Sequence, residues 1–140
     1  MMARDVTFRT VIPQGADEIE RFFFELVEWV ATGIEGNAAA DAPIGPTGKL
    51  ANSIEKLPTR QMGSIIEGEV VATAEYAAYV NYGTGQAGAA SSVPGRAEEN
   101  SYSSGWLGMA ARPFMSQAAE DGRIDLERGA TKLEGDLPRL

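Results

Sequence analysis

The apolar positions of this chain change period several times, and each change marks an element. Val6, Phe8 and Ile12 alternate loosely with polar neighbours, a two-residue rhythm that predicts a short strand or ordered arm. Pro13-Gln14-Gly15 then interrupts it. From Asp17 to Ala40 the rhythm becomes helical. Ile19, Phe22, Phe23, Leu26, Val30 and Ile34 recur at three- and four-residue steps along one stripe. Asp17 and Glu18 stand at its start, where acids suit the helix dipole. Gly33 and Gly36 weaken its last turns. Val27 and Trp29 fall off the centre of the stripe, which fits either a wide core face or a contact between subunits.

Asp41 to Gly48 is a turn-rich connection, and Lys49 to Ile54 adds a turn of helix with Leu50 and Ile54 on one side. Ser53–Thr59 and Ile65–Thr73 then predict the two arms of a hairpin about Arg60–Ser64. In the second arm Ile66, Gly68, Val70 and Ala72 share one parity, as a strand with one buried face requires. Glu75 to Tyr82 predicts a short helix with Tyr76, Tyr79 and Val80 on one side. Residues 85–108, rich in Gly, Ala and Ser, predict a long flexible loop closed by Trp106, Leu107 and Met109. A last helix starts at Arg112-Pro113 and turns Phe114, Met115, Ala118 and Ala119 inward. Gly122 is expected to interrupt it, and the polar tail from Gly129 to fray. The class expected is α+β: a long N-terminal amphipathic helix packed on a small antiparallel β-sheet, with a second, C-terminal helix, in one domain over residues 1–140.

Composition narrows the chemistry. The 140 residues include no cysteine and no histidine. Disulfides and thiolate metal sites are excluded, and the usual general base and near-neutral switch are missing. The net charge of −8 argues against gripping nucleic acid, because that affinity comes from Lys and Arg meeting phosphates. The acids concentrate in the first helix: Asp17, Glu18, Glu20, Glu25, Glu28, Glu35 and Asp41 face only Arg21. Such a run is a solvated face, or a surface that repels DNA or meets a basic partner. No apolar run approaches the roughly 20 residues needed to span a bilayer, and Met1-Met2-Ala3-Arg4-Asp5 shows no signal core. The protein is expected to be made in a cytosol and used there, or packed into a particle assembled there.

Gly83-Thr84-Gly85-Gln86-Ala87-Gly88 fits the spacing of a dinucleotide fingerprint. The required context is a buried strand before it and a helix after it, and the residues that follow look like loop. The Glu98-Glu99 pair sits in the same loop, and Ser53 with Lys49 has no third group to orient it. No catalytic residue, cofactor or metal site is expected.

Three stretches carry a resemblance. They are Ala42-Pro43-Ile44-Gly45-Pro46-Thr47-Gly48-Lys49-Leu50-Ala51-Asn52-Ser53-Ile54; then Ala74-Glu75-Tyr76-Ala77-Ala78-Tyr79-Val80-Asn81-Tyr82-Gly83-Thr84; then Met109-Ala110-Ala111-Arg112-Pro113-Phe114-Met115. In this order and spacing the chain resembles the head–tail joining, or tail-completion, proteins of siphophages and related prophages. Asn81-Tyr82 stands where that family often has an acid followed by Phe, and the 85–108 insert is long for its slot. The resemblance implies a structural virion protein of the phage neck, assembled in the host cytoplasm. It implies a homo-oligomeric, hexameric ring that joins the head-completion or connector protein to the tail terminator or tail-tube protein and lets DNA pass without binding it specifically. A tail terminator, and more remotely a nucleotide-binding enzyme using the Gly83–Gly88 loop, are the alternatives. The motif residues expected to maintain this architecture are Pro43, Thr47, Gly48, Leu50, Ser53, Ile54, Tyr76, Ala77, Tyr79, Val80, Gly83, Thr84, Arg112, Pro113 and Phe114. Glu25, Glu28, Trp29, Trp106 and Leu107 are the candidates for an interface or channel face.

Overall fold

A three-stranded antiparallel sheet with one long helix laid across it and a second packed on that helix forms the frame of the computed structural model, which describes residues 4–12, 17–43, 48–94 and 102–136. Strand β1 (Arg4–Val11) and strand β2 (Ile54–Met62) flank strand β3 (Ile65–Ala72). The expected hairpin is there with a longer first arm, joined by Gly63-Ser64 alone rather than by five residues. Directly opposed residues share a face. The pairs Val6↔Val70, Phe8↔Gly68, Thr10↔Ile66 and Ile54↔Ala72 therefore set the apolar parity toward the helices. Gly68 has a specific reason: a Cβ there would lie 2.5 Å from Phe8 Cζ and 2.9 Å from Val27 Cγ1. The bare backbone lets Phe8 reach across the middle strand.

Helix α1 (Asp17–Asp41) follows the predicted span and buries Leu26, Val27, Val30, Ala31, Ile34 and Ala38. The two residues off the predicted stripe part company. Val27 is fully buried against Ile12 and Ile66, whereas Trp29 is 59% exposed. Helix α2 (Lys49–Asn52) is a single turn, so Leu50 and Ile54 reach the core from a helix and from a strand.

Helix α3 (Ala77–Tyr82) turns Ala77, Ala78 and Asn81 inward and leaves Tyr76 and Tyr79 exposed. The described part of the expected 85–108 loop is not loop throughout. Gly85–Ala90 is a short helix, α4, folded against residues 102–109. Helix α5 (Phe114–Asp136) runs unbroken through Gly122 and Gly129, where an interruption and fraying were expected. Their role is close approach. A Cβ at Gly122 would meet Ile34 Cδ1 at 2.6 Å, and one at Gly129 would meet Leu26 Cδ1 at 2.5 Å. Phe114, Met115 and Ala118 are buried as predicted, with Ala119 packed beside them. Pro13–Gly15, Thr47 and Glu98-Glu99 lie outside the described residues.

Candidate assembly surfaces and the contacts that hold them

The second and third motifs meet at one buried amide. The first N–H groups of a helix have no partner inside it. In α5 the N–H groups of Met115 and Ser116 donate to Asn81 Oδ1 at 3.1 and 3.0 Å, and Asn81 Nδ2 donates to Ser116 Oγ at 2.7 Å. Asn81 and Ser116 are both buried, and Arg112 N–H donates to Val80 O beside them. Asn81 is thus an N-terminal cap delivered from α3, 34 residues away from Met115 in sequence. It was visible in the sequence only as a departure from the family pattern. The signal that marks it is a polar residue on the inward side of a helix otherwise lined there by Ala77 and Ala78.

Gly83 has φ +77, and a Cβ on it would lie 2.7 Å from Met109 O and Ala111 N. Only glycine fits this crossing. Thr84 and Met109 exchange backbone hydrogen bonds at 2.8 and 3.0 Å. Gln86 and Ala87 N–H donate to Trp106 O and Leu107 O, and Gly88 N–H donates to Thr84 O. A dinucleotide loop offers its N–H groups to phosphate; here carbonyls already hold them. The helix inside the motif also corrects the expectation of loop, without supplying the strand–turn–helix context.

The acids of α1 divide into two sets. Lys56 N–H donates to Glu35 at 2.6 Å, and Glu28 accepts from the Lys56 ammonium at 3.1 Å, from Thr59 N–H at 3.3 Å and from the Thr59 hydroxyl. β2 is an edge strand with a bulge between Leu57 and Arg60 that accommodates Pro58, which has no N–H to pair. Glu28 and Glu35 cover the outward N–H groups of that edge, which would otherwise template another strand. The Thr59 hydroxyl, then Lys56, hold the Glu28 carboxyl below its ordinary value against the opposing effect of burial. Glu28, grouped with Glu25 as a candidate interface or channel face, therefore serves within the subunit, while Glu25 remains exposed.

The face of the sheet turned away from α1 carries no described element. Its central rung is Arg9–Glu67–Arg60, with Glu67 bonded to Arg9 at 2.8 Å and to Arg60. Arg60, opposed by burial and assisted by Arg9, holds the Glu67 carboxyl low. The next rung toward the hairpin turn is Val11–Ile65–Met62.

Other expected residues fall as follows. Leu50, Ile54, Ala77 and Phe114 are core, and Val80 packs at its edge. Gly48 has φ +62 and opens α2, and the Ser53 hydroxyl donates to Leu50 O. Pro43 is half-buried at the end of α1; Arg112 and Pro113 line a shallow cleft with Asp41 and Gln117. Tyr76, Tyr79, Trp106 and Leu107 are exposed, Leu107 by 71%. Among the described residues no helix is long and apolar enough to cross a membrane, and no three acids are grouped to hold a metal.

Residues 12–83 match the model of the family described as "Bacteriophage HK97-gp10, putative tail-component". The chain belongs to this family. The HK97-gp10-like region covers α1, α2, the hairpin and α3 and stops at Gly83, so it takes in the first motif and all of the second but Thr84, with α5 beyond it. Membership gives the protein a structural role in the phage tail, among other tail or neck proteins of the virion, and points away from catalysis. No curated protein and no solved structure matches the chain.

Proposed function

We propose that the protein is a neck or tail-completion subunit that forms a hexameric ring between the head connector and the tail tube. The observation that carries this reading is the exposed apolar surface of a phage tail component: Trp29 at 59%, Trp106 at 55% and Leu107 at 71% stand in solvent around a well-packed core. Trp106 and Leu107 are neighbours in the chain, and large apolar side chains exposed side by side mark surfaces made to be covered. A ring arises when one heterologous contact repeats by rotation until it closes. A net charge of −8 suits a passage that DNA must traverse without being held.

The test is loss of the gene from the phage that encodes it. Filled heads and finished tails of normal length should accumulate unjoined, and adding the purified protein should join them. Tails of uncontrolled length would assign the protein to tail termination instead. Unchanged infectivity would end the proposal.

A further inference from the structure

We infer that neighbouring subunits meet head to tail, the exposed stripe of α1 on one copy lying on the open sheet face of the next; this rests on the ring reading above. The stripe is Glu18, Phe22, Glu25 and Trp29, at steps of four, three and four, all exposed. Acid and aromatic alternate along it. On the open sheet face the apolar rung, with Val11 74% and Met62 61% exposed, lies next to the basic rung, whose Arg9 and Arg60 side chains are 65% and 61% exposed. Glu67 between those arginines is nearly closed off, so what the rung presents outward is guanidinium.

The periods agree. Same-face rungs are two residues apart along a strand, about 6.6 Å. A four-residue step on a helix rises about 6 Å. An acid of the stripe can therefore meet the arginine rung while the adjacent aromatic meets the apolar rung. One subunit cannot make this contact with itself, because α1 packs on the opposite face of its own sheet and the stripe points away from it.

Charge also selects the pairing. Two stripes face to face oppose Glu18 and Glu25 with their own copies. The open sheet face also carries Asp5, Glu55 and Glu69, all beyond the arginine rung from Val11 and Met62, so an acid of the stripe finds opposite charge at the arginine rung; that contact is heterologous, the kind that closes into a ring.

The test uses two surface variants, each with one dead face. Trp29→Asp spoils the stripe and keeps the sheet face; Met62→Asp does the reverse. Both should keep the native circular dichroism and melting temperature, since both positions are exposed. At concentrations where the unaltered protein forms rings, alone or on tails, each variant alone should sediment as a monomer, its self-association weakened at least tenfold. An equimolar mixture should give heterodimers and nothing larger, because one good interface remains per pair. Rings from either variant, or a mixture that stays monomeric, would overturn the inference while leaving the ring intact. An unaltered protein that never forms a ring overturns the ring reading itself.

Discussion

Asn81 and Ser116 are bonded side chain to side chain at 2.7 Å in a site closed to solvent, and through that bond α3 fixes where α5 begins. The amide oxygen takes two helix N–H groups and the amide nitrogen finds the serine hydroxyl, so each Asn81 contact serves a group that is otherwise buried alone. Replacing Asn81 with Leu leaves those donors unmet. Urea unfolding should show a loss of about 2–3 kcal/mol, the cost of stranding buried polar groups at a lost cap. Asn81→Asp should cost less, since a carboxylate accepts the same two N–H groups and suits a helix N-terminus. Equal losses for the two variants would show that side-chain shape, and not the cap, matters.

The same substitution should have opposite signs at two helical glycines. Gly36 has nothing within 4 Å of a built Cβ, so Gly36→Ala should stabilise by up to about 1 kcal/mol through helix propensity. At Gly122 the new methyl would press on Ile34, itself only 2% exposed. Gly122→Ala should destabilise by about 1–2 kcal/mol, the overpacking cost outweighing the propensity gain. Thermal melts of the two variants beside the unaltered chain measure both.

Acid should weaken the fold. Glu28 and Glu67 have carboxyls held below the ordinary value of 4.5, by Thr59 and by Arg60 respectively. The unfolded chain therefore takes up protons before the folded one, and the stability these groups contribute above pH 4.5 is lost as pH falls through their lower folded values. Glu69 runs the other way. Burial, then the neighbouring Asp5 carboxyl, raises its value, so as pH falls it protonates earlier in the folded chain and partly offsets the loss. Melting temperature should be level from pH 8 to 6 and decline below about pH 4.5, and Glu67→Gln should make that decline shallower. A melting temperature independent of pH down to 3 would contradict the assignment of these ion pairs.

Periodicity made the backbone plan legible. The helix from Asp17, both hairpin arms and the inward residues of α5 are where alternation and three- and four-residue steps place them. What the sequence hid are contacts between distant positions. Glu28 and Glu35 look like two more members of an acidic run until Lys56 and Thr59 fold against them. Gly122 and Gly129 look like helix breakers because propensity is local, whereas their use depends on where Ile34 and Leu26 of another helix arrive. Residues 85–108 look like loop because small residues carry little pattern, and α4 is held by backbone hydrogen bonds to Trp106 and Leu107 rather than by an apolar stripe. Trp29 is legible as an apolar residue off the core stripe, and Trp106 and Leu107 as apolar bulk closing a segment of small residues, but that all three lie open is decided only by the packing.

The most direct measurement is electron microscopy of phage tails prepared with and without this protein. The account predicts an added ring of six copies at the head-proximal end of each tail, absent when the protein is withheld. Identical tail ends in both preparations, with the protein left as a single subunit in solution, would contradict it.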